Sequence, residues 1–184
     1  EFGADAYWSD SETLKVNPHP YEQHKYIIES DWSASSYWYE MMTLAEDPES
    51  TVMFDGLFDA SKQGDSIVKY IFSLMGVKTR FLSNGTEAAP TVRLKKWPCR
   101  LPRLDYDLLS APDLAQTIVV TCALMDIPFR LTGLASLRIK ETDRIEALKC
   151  ELKKLGYVLR DENGDTLIWG GTRCEASMEP INTY

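Results

Sequence analysis

The feature that most constrains the fold is an internal repeat that spans most of the 184 residues. Residues 26–46 and 105–126 each read as a short strand, a turn that carries an aspartate (Asp31 or Asp113) and a mostly apolar helix. Each copy continues into a strand, a glycine, a polar loop, a second helix and two more strands. Matched positions lie roughly 77 to 82 residues apart. The pattern indicates two copies of one supersecondary unit that pack against each other.

The element order in each copy is β-α-β-α-β-β, which predicts an α/β protein with mixed sheets packed around buried helices. The first helix of the second copy, "LAQTIVVTCALM", is apolar on nearly all faces, so we expect it to be buried. The second helix is amphipathic, with a stripe formed by Ile145, Leu148, Leu152 and Leu155. An Asn-Gly pair at 163–164 between two strand-like runs predicts a hairpin.

The repeat divides the chain into four segments. Residues 1–22 form a lead-in from a preceding unit, residues 23–97 the first unit, residues 98–172 the second unit, and residues 173–184 the start of a further unit. The chain begins without a methionine and stops abruptly at "INTY". We therefore expect a fragment of a longer protein.

Charge and composition exclude several classes of function. The net charge is −8, which disfavours binding to nucleic acid or to an anionic membrane, so any anionic ligand needs a local cluster of cations. The longest apolar stretch, at 118–125, is too short to span a bilayer. We predict neither nucleic acid nor membrane as a partner.

The cysteines and histidines do not form a metal-binding pattern. The four cysteines lie far apart, without a C-x-x-C motif or a nearby histidine pair, which supports neither a zinc site nor a disulfide framework. Both histidines, His19 and His24, fall in a proline-rich linker that we interpret as a surface connector. Scattered free thiols suit a reducing compartment, so we expect a cytoplasmic protein without a metal site.

The strongest candidate site is the polar run "KETDR" at 140–144, which leads into the amphipathic helix. Lys140 and Arg144 are four residues apart and share a face if the helix has begun. The free backbone N–H groups of a helix start add partial positive charge, which favours a phosphate or carboxylate ligand. Glu141 supplies a carboxylate for acid–base work. A solvated first turn explains the same run, and the residues alone favour that simpler explanation.

Asp113 is the second candidate. It follows Ser110 and Pro112 at a helix start, where complementing the helix dipole is the simpler explanation. The repeat places Asp113 and the 136–144 loop at the amino ends of two helices of one unit, which favours a shared site. In the first unit, Asp31 is expected to cap a helix, and we interpret "SKQGD" at 61–65 as structural.

Three segments resemble the 5-enolpyruvylshikimate-3-phosphate (EPSP) synthase family. "RIKETDR" at 138–144 fits the R-[VI]-K-E-[ST]-D-R signature without a break, and "ESDWSASSYW" at 29–38 and "SAPDLAQTIVVTCAL" at 110–124 are similar to two further family segments. "SKQGD" also matches the family's Q-G-D. The resemblance runs along essentially the whole chain. It implies an enolpyruvyl transferase-like fold and a fragment of the carboxy-terminal domain.

The resemblance also implies a reaction and roles for four residues. The family transfers the enolpyruvyl group of phosphoenolpyruvate to the 5-hydroxyl of shikimate 3-phosphate and releases phosphate, without a cofactor. By motif position, Asp113 resembles the acid that holds the shikimate hydroxyls and accepts a proton, and Glu141 the group that exchanges a proton with the enolpyruvyl methylene. Lys140 resembles a ligand of the substrate hydroxyl and the phosphate region. Arg144 resembles a clamp on the phosphoenolpyruvate carboxylate.

Two departures limit what the resemblance implies. Ser136 stands where many members have an asparagine that contacts the shikimate phosphate, so we assign it no contact. The amino-terminal domain, which supplies most of the shikimate 3-phosphate site, precedes this segment in the family, so we expect the fragment alone to be inactive. Two alternatives stay open. One is the sister enzyme that acts on a UDP-sugar, against which "KETDR" counts, and the other is a non-catalytic anion-binding or interaction module.

Overall fold

The computed structural model of the chain describes residues 2–82 and 90–183. The helices are α1 (Trp32–Leu44), α2 (Val68–Leu74), α3 (Ala115–Leu124) and α4 (Arg144–Lys154). Short 3₁₀ helices at Gly64–Ile67, Pro112–Leu114 and Ala135–Ile139 precede α2, α3 and α4. The strands are β1 (Ala6–Trp8), β2 (Leu14–Val16), β3 (Thr51–Asp55), β4 (Val77–Leu82), β5 (Thr91–Lys96), β6 (Leu104–Asp107), β7 (Phe129–Thr132), β8 (Arg160–Glu162) and β9 (Thr166–Trp169).

The second unit has the predicted order, β6-α3-β7-α4-β8-β9. Its strands form one sheet in the order β6-β7-β9-β8, in which β6 and β7 are parallel and the other pairs are antiparallel. The parallel pair requires a crossover, which α3 provides. Asn163 and Gly164, with φ of 57° and 76°, make the turn between β8 and β9. The mixed sheet and the Asn-Gly hairpin are therefore confirmed.

The first unit lacks the strand expected at 26–28. Its sheet has the order β3-β5-β4, with antiparallel pairs throughout. The chain before α1 donates a backbone hydrogen bond from Ser30 to the Gly56 carbonyl (2.8 Å), but residues 26–28 are assigned to no strand. Ile28 is 85% exposed, whereas Leu104 of the matching strand β6 is buried. The expected strand was wrong because the segment buries no apolar face against β3.

The core is one continuous apolar cluster that spans both units. It includes Trp32 and Tyr39 of α1, Ile118 of α3 and Trp169 of β9, all fully buried. Seven of the ten residues of α3 are buried, which confirms the burial expected from its apolar sequence. The α1 and α3 helices pack against each other, so the two units share a core rather than forming separate bodies.

The amphipathic stripe of α4 is confirmed at three of its four positions. Ile145, Leu148 and Leu152 are buried against the core. Leu155 is 46% exposed, so the prediction for it was wrong. It lies at the carboxyl cap, just before Gly156 (φ +91°) turns the chain away from the helix axis.

The ends of the chain contribute little to this core. Strands β1 and β2 form an exposed antiparallel hairpin. Residues 174–183 form no helix or strand and run beside α4, where the Ser177 amide donates to the Lys154 carbonyl (2.8 Å). Unit boundaries at 22, 97 and 172 stay a prediction. No helix in the described part of the chain is long and apolar enough to cross a membrane.

Candidate active site

Asp113 lies in the 3₁₀ helix between β6 and α3, at the edge where the 140–144 loop arrives. Its Oδ1 accepts a hydrogen bond from Arg144 Nη1 (2.9 Å) and lies 3.2 Å from Lys140 Nζ. No side-chain capping bond is assigned at the start of this 3₁₀ helix. The carboxylate is therefore held by two cations, Lys140 of the loop before α4 and Arg144 at the start of α4, so the structure brings Asp113 and the 140–144 run together.

Lys140 and Arg144 reach Asp113 by a different route from the one predicted. The α-helix begins only at Arg144, and Lys140 has an extended backbone (φ −76°, ψ −163°) after the preceding 3₁₀ helix. The condition under which the two residues would share a helix face, a helix that has begun at Lys140, is therefore not met. They stand at opposite ends of a short loop, and the loop bends so that both side chains converge on Asp113.

The start of α4 is fixed by Asp143, a role that the sequence analysis missed. Asp143 Oδ1 accepts from the amides of Ile145 and Glu146 (both 3.1 Å), and its Oδ2 accepts from Arg138 Nη1 (2.8 Å). Partial burial opposes ionisation, but the Glu146 amide and Arg138 outweigh it and lower the pKa of Asp143. An aspartate just before an amphipathic run is an N-cap signal, so the pattern was there to be found.

Arg138 links the 140–144 run to the β8–β9 hairpin. Its guanidinium also donates to the Gly164 carbonyl (2.9 Å) and to the carboxylate of Asp161 in the β8–β9 hairpin. The invariant geometry of a guanidinium fork suits this three-way contact. Arg138 thus ties the Lys140–Arg144 loop to the sheet edge.

Glu141 is the most accessible carboxylate of the site. Its Oε2 accepts from Arg144 Nη2 (2.8 Å), and its side chain is 76% exposed. A hydrogen bond from its own backbone amide, together with Arg144, lowers the pKa of Glu141. Arg144 consequently bridges two carboxylates, Glu141 on one side and Asp113 on the other.

The four side chains balance in charge. Lys140 and Arg144 are paired with Asp113 and Glu141, so no cation of this group is left without a carboxylate. Beside the group is an open cleft of about 450 Å³. It brings together residues of α1, α3, the loop before α4, α4 itself and the carboxyl-terminal segment, namely Tyr37, Gln116, Glu141, Thr142, Arg144, Ala147, Leu148, Glu151, Ile181 and Asn182. An anionic ligand that binds Nη1 or Nη2 of Arg144 therefore competes with Asp113 or Glu141 for that nitrogen.

The first unit contributes a further carboxylate that the sequence analysis treated as structural. Asp31 caps α1, as predicted, by accepting from the Ser33 amide (2.8 Å). The Ser33 hydroxyl donates to the carboxylate of Asp65, which is half-buried. Burial, opposed by this hydrogen bond, and the negative charges of Asp113 and Asp31 raise the pKa of Asp65. The "SKQGD" loop therefore lies within electrostatic range of Asp113.

Within residues 2–82 and 90–183, no three His, Cys, Asp or Glu side chains are grouped so that they could hold a metal ion. His19 and His24 are exposed and lie in the linker.

The fold and the site together define a repeated α/β domain that presents carboxylates and cations at its helix starts. The EPSP synthase (3-phosphoshikimate 1-carboxyvinyltransferase) family model matches residues 1–184. The chain belongs to this family.

Individual relatives agree with this assignment. The chain is 49% identical over 185 residues to a 3-phosphoshikimate 1-carboxyvinyltransferase from Bacteroides fragilis, and the match covers 100% of this chain and 43% of that protein. It is 33% identical over 160 residues to the protein of the same name from Methanobrevibacter smithii, covering 87% of this chain and 34% of the relative.

A solved structure gives the same fold. The EPSP synthase from Acinetobacter baumannii superposes with a TM-score of 0.59 at 17% identity, over 94% of this chain and 39% of that one. The chain thus spans less than half the length of each of these relatives.

Proposed function

We propose that this chain is part of a 3-phosphoshikimate 1-carboxyvinyltransferase, which moves the enolpyruvyl group of phosphoenolpyruvate to the 5-hydroxyl of shikimate 3-phosphate and releases phosphate. The observation that carries the proposal is the convergence of Lys140 and Arg144 on Asp113, with Glu141 on the other side of Arg144. This is the constellation that the reaction needs: cations for anionic substrates and two carboxylates for proton transfer.

Arg144 is the proposed clamp on the phosphoenolpyruvate carboxylate. Its guanidinium already binds two carboxylates. Arg144 and its partner Glu141 both line the cleft. A planar guanidinium binds carboxylates in a bidentate manner, which a lysine at this position would not reproduce. Lys140 is proposed to hold the substrate hydroxyl and the phosphate region.

Two carboxylates would move the protons. As the 5-hydroxyl oxygen bonds to the central carbon of the enolpyruvyl group, Asp113 accepts the hydroxyl proton and Glu141 gives a proton to the methylene carbon. In the second step the bond between the central carbon and the phosphate oxygen breaks, Glu141 takes a proton back from the methyl group to restore the double bond, and the departing phosphate takes up the proton held by Asp113. Phosphate leaves with the electron pair of the broken bond.

Glu141 must bind a proton to act as the acid, although its pKa is lowered in the described arrangement. Arrival of a substrate carboxylate resolves this conflict. The ligand takes the Arg144 Nη2 group that now holds Glu141, and the loss of that hydrogen bond and charge raises the pKa of Glu141. Substrate binding therefore primes the acid.

The site in this chain forms only part of the proposed active site. The chain spans 43% of the B. fragilis relative, and we propose that the rest of the protein supplies most of the shikimate 3-phosphate contacts. We expect no measurable turnover from this segment alone. We also place the protein in the cytoplasm, where its four free thiols stay reduced.

The test uses the full-length protein that contains this chain. Phosphate release would be followed with both substrates for the parent, Asp113→Asn and Arg144→Lys. We expect Asp113→Asn to lower kcat by about a hundredfold or more and Arg144→Lys mainly to raise KM for phosphoenolpyruvate. Equal activity in all three proteins would refute the assigned roles.

The same assay separates the two alternatives. Replacing shikimate 3-phosphate with a UDP-sugar acceptor would support the sister enzyme if phosphate release continued. Binding of phosphoenolpyruvate without release from any acceptor would support the non-catalytic module.

A further inference from the structure

The first unit touches the Asp113 turn through its Gln63-Gly64-Asp65 loop. Gly64 lies so close to the second unit that a Cβ there would be 2.4 Å from the Ser110 carbonyl oxygen, three residues before Asp113. No side chain fits in that space without moving one backbone relative to the other. The loop therefore sets the position of the Ser110–Asp113 turn from outside its own unit.

Asp65 is fixed at the end of this contact. It receives the Ser33 hydroxyl hydrogen bond, and Ser33 in turn belongs to the first turn of α1, whose cap is Asp31. The charged groups that act on Asp65 come from three elements: Asp31 at the start of α1, Asp113 in the 3₁₀ helix before α3, and Lys140 in the loop before α4. The positive charge of Lys140 thus acts on both Asp65 and Asp113.

We propose that Asp65 is a positioning residue for Asp113, acting across the boundary between the two units through the Gly64–Ser110 contact and through its negative charge. This inference rests on the proposed function, in which Asp113 accepts a proton. A carboxylate held near Asp113 disfavours a second negative charge there and so helps Asp113 to take up the proton of the substrate hydroxyl.

Steady-state kinetics of the full-length protein tests the kinetic part. In Asp65→Asn we expect kcat to fall about fivefold to tenfold, KM for phosphoenolpyruvate to stay within about twofold, and the acid limb of the kcat profile to move to lower pH. Asp65→Glu keeps the charge and should restore the position of the limb. Gly64→Ala should lower kcat by about tenfold or more because it displaces the turn.

Glu46→Gln is the matched control. It removes one negative charge from an exposed position beyond the other end of α1 and should leave kcat and its pH profile unchanged. If Asp65→Asn behaves like this control, the inference is overturned.

A titration that does not depend on activity separates this inference from the proposed function. The carboxyl carbon of Asp65 would be followed by NMR against pH in the parent and in Asp113→Asn. Since the negative charge of Asp113 contributes to the raised pKa of Asp65, its removal should lower that pKa. An unchanged titration overturns the coupling even in an active enzyme. A parent that releases no phosphate but shows the shift refutes the proposed function and retains the coupling.

Discussion

Replacement of Asp143 by alanine is expected to loosen the start of α4. The change removes the acceptor of two amide hydrogen bonds, each 3.1 Å long, and the 2.8 Å ion pair with Arg138. Loss of an N-cap costs about 1 kcal/mol, within a range of about 0.5–2 kcal/mol. The ion pair is partly exposed, with side-chain exposures of 34% and 27%, so it adds only about 0.5–1 kcal/mol. We expect a total loss of about 1.5–2 kcal/mol in the free energy of unfolding.

A serine at the same position separates the two contributions. Asp143→Ser retains a capping oxygen but loses the charge, so it should cost only about 0.5–1 kcal/mol. The alanine variant should also move Arg144, the first residue of the helix, relative to Asp113. We expect kcat/KM to fall about tenfold in the alanine variant and less in the serine variant.

The pH dependence gives a further check on the charge. The pKa of Asp143 is lowered from its ordinary value of 3.8, so its ionised form stabilises the folded state fully above that value. This contribution is lost as the pH falls through the lower folded-state pKa. Urea unfolding of the full-length variants, with amide hydrogen exchange at Ile145 and Glu146, measures both effects. Equal stability of the alanine and serine variants at pH 7 would refute the capping argument.

Three further predictions concern stability. Burial raises the pKa of Glu40 to about 7, so the stability of the folded state falls as the pH rises from the ordinary value of 4.5 to that value. Glu40→Gln should therefore raise the free energy of unfolding by about 1–2 kcal/mol at pH 8 and by little at pH 4.5, as measured by urea unfolding. An equal gain at both pH values would contradict the raised pKa. The Ser36 and Thr117 hydroxyls form a buried 2.8 Å hydrogen bond between α1 and α3. Ser36→Ala should cost about 1–2 kcal/mol of stability, and adding Thr117→Val should recover part of that loss. Additive losses in a double-mutant cycle would refute the pairing. Gly133→Ala should cost about 3 kcal/mol or more, because φ is +77° and the new Cβ would lie 2.4 Å from a backbone nitrogen. Gly171→Ala, with φ of +92° and open space around the Cβ, should cost only about 1 kcal/mol. Similar shifts in melting temperature for the two variants would show that the close approach at Gly133 does not matter.

The repeat and the apolar patterns of its helices predicted most of the fold. Burial of α3 followed from its apolar sequence, and the Asn-Gly turn followed from the φ > 0 that both positions require. The prediction of a strand at 26–28 was wrong because an apolar sequence does not show whether another element of the fold covers those side chains. Leu155 failed for a related reason, since the stripe was extended one residue beyond the end of the helix.

The candidate site was predicted in its members but not in its geometry. Lys140 and Arg144 meet on Asp113 through a loop bend, whereas their spacing predicted a shared face only if the helix had already begun at Lys140. Asp65 could not be related to Asp113 from the sequence, because 48 positions separate them and only tertiary packing, seen at the close approach of Gly64 to Ser110, brings their segments together. Side-chain charges across a unit boundary depend on tertiary structure.

The most direct test of the central claim is phosphate release by the full-length protein from shikimate 3-phosphate and phosphoenolpyruvate, compared between the parent and Glu141→Gln. Glu175→Gln, at an exposed position in the carboxyl-terminal segment, serves as the matched control. We predict release by the parent and the control, and a loss of at least about a hundredfold in kcat for Glu141→Gln with little change in the affinity for phosphoenolpyruvate. Undiminished release by Glu141→Gln, or no release by a folded parent, would contradict the account.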